Sequence, residues 1–113
     1  MEKRRNKRRH IIYYLRVFER DTGQLIGQLV DITTSGMKLI SEQPIEIGKE
    51  FKLRMVLPEK IDRKEEIHFD VKGMWVKRDI NPNFFSIGFE FLRIAEEDVG
   101  IIQNLIYDYS FRD

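Results

Sequence analysis

Two short segments carry residue types whose spacing could do chemistry. The first is Arg4-Arg5-Asn6-Lys7-Arg8-Arg9, where an RxxxR spacing occurs twice, as Arg4 with Arg8 and as Arg5 with Arg9. A guanidinium is a planar fork of donors. It suits phosphate oxygens and the O6/N7 edge of guanine, and it stacks on bases. The second segment is Asp31-Ile32-Thr33-Thr34-Ser35-Gly36. Asp31 offers acceptors for the N1–H and N2–H donors of guanine, and Thr33 offers a hydroxyl. Gly36 permits a turn with positive φ and a close approach of backbone to ligand. Together they fit a ligand that has both phosphate and guanine. Separately, each has an ordinary explanation. A charge run is usually solvated surface, and Asp-x-Thr-x-x-Gly at a strand end is often a simple Asp-capped turn.

Catalysis finds little support. The two histidines, His10 and His68, have no second histidine or carboxylate at metal-ligand spacing, so no metal site is expected. There is no cysteine, which excludes a disulfide framework, a thiol nucleophile and a Cys-based metal site. No Walker-type phosphate loop or Gly-x-Ser-x-Gly elbow occurs. The chain is expected not to be an enzyme and to need no cofactor.

The elements that must position these residues follow from pattern. The length of 113 residues fits one domain, and 42% hydrophobic with 35% charged residues marks a globular chain. The net charge of +1 argues against a general nucleic-acid coat. Yet residues 3 to 10 hold six Lys or Arg, one His and no apolar side chain. Residues 1–10 are therefore expected to form an exposed, mobile arm. Residues 11–113 are expected to form the folded domain. The basic start lacks the apolar run and cleavage site of an exported precursor, and no stretch reaches membrane-spanning length. A cytoplasmic protein without membrane insertion is the expectation.

Residues 11 to 18 and 24 to 32 read as strands around the turn Asp21-Thr22-Gly23. In the second, Leu25, Gly27, Leu29 and Asp31 share one side. Met37 to Ser41 restarts a strand after the polar loop at Thr33–Gly36. Phe51, Leu53 and Met55 alternate with polar neighbours up to Pro58, which ends the strand. Residues 59 to 66 are nearly all charged and read as an exposed loop. Ile67, Phe69, Val71 and Gly73 face inward, and Trp75 continues that set. Asn81-Pro82-Asn83 is a turn, and Phe85, Ile87, Phe89 and Phe91 form the last strand. The period of two places Phe69, Trp75, Phe85, Phe89 and Phe91 in the core. Of Tyr13 and Tyr14, at most one points inside. Val99, Ile102, Leu105, Ile106 and Tyr109 then recur at helical spacing, giving a helix over about 95–109 with Glu96, Glu97 and Asp98 in its first turn. The fold class is mainly all-β: about six antiparallel strands in a closed barrel with a C-terminal helix over one end or face.

The two segments together resemble the motifs of the PilZ domain family, small bacterial receptors for cyclic di-GMP. That family has RxxxR before the first strand and (D/N)xSxxG after the second. Arg5 and Arg9, or Arg4 and Arg8, meet the first; Asp31, Thr33 and Gly36 meet the second, with Thr in place of Ser. Arg5 and Arg9 are the favoured pair because Arg9 stands closest to the first strand. Gly73-Met74-Trp75, Gly88-Phe89-Glu90-Phe91 and the C-terminal helix match more loosely. The resemblance implies a six-stranded barrel that holds cyclic di-GMP on its outer surface under the arginine arm. It also implies a signal passed to a protein partner in motility, adhesion or polysaccharide export. The alternatives are a PilZ-like adaptor without nucleotide and a small barrel binding single-stranded nucleic acid. The balanced charge and inward aromatics weigh against the last, so no nucleic-acid partner is expected.

Overall fold

A computed structural model of the chain describes residues 14–109, with side chains through Tyr107. The expectations placed on residues 1 to 13, including the four arginines, His10 and Tyr13, lie outside the described residues. So does the side chain of Tyr109. The strands are β1 (Arg16–Glu19), β2 (Leu25–Ile32), β3 (Gly36–Ser41), β4 (Glu50–Ile61), β5 (Lys64–Arg78) and β6 (Phe85–Ile94). The helix α1 spans Glu96–Tyr109. The strands close in the order β1-β2-β3-β6-β5-β4, with every neighbouring pair antiparallel. Closure leaves no continuous open edge to pair with another chain.

The core follows the period of two. Val17, Leu29, Leu39, Leu53, Met55, Ile67, Phe69, Val71 and Ile87 are fully buried. Phe51, Phe85 and Phe91 pack partly buried against them. The rings of Phe51 and Phe89 meet edge to face at 5.9 Å, and those of Phe69 and Phe91 at 5.1 Å. From α1, Ile101, Ile102 and Leu105 join the same core at 0–1% exposure. Each such burial favours folding by roughly 1.5–3 kcal/mol before entropy is counted, which is why the helix docks. Ile101 completes a stripe that the spacing of three and four had left to Ile102 and Leu105. The side chain of Asp98 is also buried, and its carboxylate accepts from Lys64 Nζ at 2.7 Å. That bond ties the first turn of the helix to the start of β5.

Several expectations need correction. Residues 59 to 66 are not a loop. β4 runs to Ile61 and β5 starts at Lys64, so the turn is Asp62-Arg63, with φ of 52° and 69°. Two consecutive positive φ values make the primed two-residue turn that matches strand twist. Charge misled here because both strands of this hairpin are largely exposed. Pro58 likewise sits within β4, beyond Met55, where the pairing with β1 ends. Its missing N–H costs no bond on that edge. The remaining corrections concern Trp75, the sides of β2 and the backbone at Gly36, which bear on the site.

Candidate functional site

Asp31 and Leu29 do not share a face. The β2–β3 register shifts between Leu29 and Asp31, pairing Leu29 with Leu39 and Asp31 with Lys38. The extra residue, Val30, is a β-bulge, which reverses the alternation. Leu29 and Ile32 are both buried, and Asp31 turns outward at the end of β2. A second bulge reverses β5. Gly73 pairs with Phe89, and Trp75 pairs with Gly88. Trp75 therefore leaves the inward set and lies on the outer surface, 38% exposed.

These shifts bring four positions into one row across the outside of the barrel. Asp31 pairs with Lys38, Lys38 with Gly88 and Gly88 with Trp75. Adjacent strands lie about 4.8 Å apart, so the row spans about 14 Å. The neighbouring row carries Gly36, Glu90 and Lys72. Gly88 has no side chain because the indole covers it: an added Cβ would overlap Nε1, Cε2 and Cζ2 of Trp75. Lys77 Nζ stands 5.8 Å from the centroid of the same indole.

The loop that follows Asp31 is held by its own residues. Ile32 N–H donates to Asp31 Oδ1 at 2.9 Å, fixing the carboxylate. Among the described residues the other carboxylate oxygen has no partner. The Thr33 hydroxyl accepts from the amides of Ser35 and Gly36, both at 3.2 Å. Thr33 thus shapes the loop as a hydroxyl turn. The expectation of a positive φ at Gly36 is not met; among described glycines only Gly23 and Gly48 have one. Gly36 is required for a different reason, since a Cβ there would collide with the carbonyl oxygen of Phe89. Phe91 N–H also donates to Ser35 O at 2.9 Å, so the loop rests on β6.

The chain enters β1 beside this loop. Leu29 N–H donates to Leu15 O, and Arg16 pairs with Gln28. In that register Tyr14, 55% exposed, stands level with Val30, one residue from Asp31. Arg9 precedes Tyr14 by five residues, a reach of at most about 17 Å. Asp31, Thr33 and Gly36 thus lie at one strand end, beside the point where the described chain begins at Tyr14.

A concavity of about 1030 Å³ lies elsewhere, lined by Arg20, Lys64, His68, Asp70 and Arg93 among others. Its charges satisfy one another. Asp70 accepts from Arg20 at 2.6 Å and from Arg93 at 2.9 Å. Burial pushes its pKa up, but the hydrogen bonds and charges of Arg93 and Arg20 outweigh that and hold it below 3.8. Glu66 bonds His68 and Arg54, each at 2.9 Å, and the His68 bond first, then Arg54, hold its pKa below 4.5 despite some burial. Lys64 is raised above 10.5, chiefly by its bond to Asp98. Groups already paired in this way favour structure over chemistry. Among the described residues no cluster of three His, Cys, Asp or Glu could hold a metal, and no helix is long and apolar enough to cross a membrane.

The architecture defines a small closed barrel with a capping helix and a polar, outward-facing loop at the end of its second strand. The PilZ domain family model matches residues 2–108, and the chain belongs to that family. Solved structures agree on the fold. The inhibitor of motility MotI/DgrA from Bacillus subtilis superposes with a TM-score of 0.65 at 17% identity, covering 84% of this chain and 47% of that one. YcgR from Escherichia coli, solved in complex with c-di-GMP, gives 0.61 at 15% identity, covering 86% and 42%. The chain therefore spans less than half the length of either. No curated protein sequence matches it.

Proposed function

We propose that this PilZ domain is a receptor for cyclic di-GMP, without enzymatic activity, that holds the nucleotide on the outer face of β2, β3, β6 and β5. The observation that carries this reading is the state of Asp31: turned outward by a bulge, fixed by one backbone amide and left with a carboxylate oxygen that has no partner among the described residues. Such an acceptor suits the N1–H and N2–H edge of guanine. Thr33 and Gly36 set the backbone beside it. Membership of the PilZ family and the likeness to YcgR, a protein solved with this nucleotide, support the choice of ligand.

In this reading Arg5 and Arg9 close over the ligand from the arm, with Arg4 and Arg8 as the alternative register. The six Lys and Arg within residues 2 to 10 repel one another, and two ligand phosphates relieve that repulsion. Ordering each residue costs about 1–2 kcal/mol, so affinity is moderate. Trp75 adds an exposed aromatic face on which a base can stack. The arm, fixed beside the barrel, becomes a surface that a protein partner in motility, adhesion or polysaccharide export can read.

The test is calorimetric titration of the full chain with cyclic di-GMP, cyclic di-AMP and a short single-stranded oligonucleotide. Cyclic di-GMP is expected to bind at roughly 0.2–10 µM, about −7 to −9 kcal/mol. Cyclic di-AMP should bind more weakly by about 1–3 kcal/mol, because adenine leaves the Asp31 acceptor unpaired. Folded protein that binds none of the three leaves the adaptor reading. Preference for the oligonucleotide favours the nucleic-acid reading.

A further inference from the structure

Lys38 occupies the centre of the outer row, between Asp31 on β2 and Gly88 on β6. Its side chain is exposed. Directly paired residues of opposite charge usually meet, since their Cβ atoms lie about 4.5–5.5 Å apart. Here they do not. The Asp31 carboxylate is drawn to the Ile32 amide at 2.9 Å. Lys38 forms no ion pair among the described residues. An acceptor and a cation thus stand side by side without neutralising each other.

The position on the far side of Lys38 carries no charge and is covered by an aromatic ring. Gly88 contributes no side chain, and the next group along the row is the indole of Trp75. An ammonium is a compact point charge that matches a phosphate oxygen and offers nothing specific to a base. The row therefore reads as acceptor, cation and aromatic face. Its complement is a base edge, an anionic phosphodiester and a second flat group. We propose that Lys38 contacts a ligand phosphate and sets affinity from the barrel itself, independently of the arginine arm. The inference rests on the nucleotide reading above and adds a residue outside both sequence motifs.

The experiment compares wild type, Lys38→Ala, Lys38→Arg and Arg9→Ala by calorimetry with cyclic di-GMP, at about 50 and 300 mM salt. Lys38→Ala is expected to weaken binding about 5- to 20-fold, the scale of one charge-assisted contact. It should also lose less affinity than wild type when salt rises, because one screened ion pair is gone. Lys38→Arg should stay within about 3-fold of wild type, and the melting temperature of all variants should be unchanged. Wild-type affinity in Lys38→Ala, with Arg9→Ala impaired, overturns the role of Lys38 while leaving the nucleotide reading intact. Absence of binding by folded wild type overturns both. Equal loss in Lys38→Ala and Lys38→Arg with altered melting marks a packing role and also overturns the proposal.

Discussion

The indole of Trp75 lies against the backbone of Gly88, so closely that no Cβ could stand between them. This contact closes the outer face of the barrel where β5 bulges. It also puts the only tryptophan of the chain two strands from Lys38 and three from Asp31.

Trp75→Ala should therefore act on binding more than on folding. A fully buried Trp would cost about 3–5 kcal/mol on truncation. At 38% exposure the expected loss of stability is nearer about 1–2 kcal/mol, with cyclic di-GMP affinity reduced by a similar amount. Urea denaturation and calorimetry on the same variant separate the two effects. Gly88→Ala should displace the whole ring, costing about 1–3 kcal/mol and shifting the tryptophan emission to the red.

The alternation of apolar residues was enough to read six strands, the core and the helix from the sequence. It failed at the charged hairpin of residues 59 to 66, and where a single residue was inserted. Val30 and Met74 look like ordinary members of their strands, yet each is the extra residue of a bulge. A bulge has no composition of its own, so Asp31 and Trp75 were assigned to the wrong sides. The motif residues Asp31, Thr33 and Gly36 were legible as a set, but their reasons were not. The Thr33 hydroxyl is occupied by the amides of Ser35 and Gly36, and Gly36 answers to Phe89, distant in sequence. Lys38 carried no signal, because its meaning lies in what its neighbours across the sheet leave unpaired.

Thr33→Ala should loosen the loop. It removes an acceptor shared by two backbone amides, a loss of about 0.5–1.5 kcal/mol. Thr33→Ser keeps the oxygen and should match wild type in both stability and binding. Hydrogen exchange at the Ser35 and Gly36 amides checks this: faster in Thr33→Ala, unchanged in Thr33→Ser.

Asp70 gives the barrel an acid-sensitive brace. Its folded pKa is depressed, so its contribution is present above the unfolded value, near 3.8, and is lost as pH falls through the lower folded value. Asp70→Asn should destabilise the protein by about 1–3 kcal/mol at pH 7, since bonds to two guanidinium groups are weakened. The gap to wild type should stay open down to about pH 4 and narrow below it. Denaturant midpoints between pH 7 and 2.5 measure the difference.

Arg5→Ala and Arg9→Ala should each cost at least about 1.5 kcal/mol of binding and leave the melting temperature of the free protein alone. Arg4→Ala and Arg8→Ala should do less. The reverse order, read by calorimetry on the four variants, assigns the clasp to the other register.

The most direct measurement follows the nucleotide on a labelled protein. Proton–nitrogen correlation spectra recorded through a titration with cyclic di-GMP should move the amides of Asp31 to Lys38, that of Gly88 and the indole Nε1–H of Trp75. The amides of residues 2 to 10 should change with the same saturation. The turns at the opposite end of the barrel, residues 42 to 49 and 79 to 84, should stay in place. Saturable shifts confined to those turns, or none at all with folded protein in excess nucleotide, would contradict a nucleotide site on the Asp31 face.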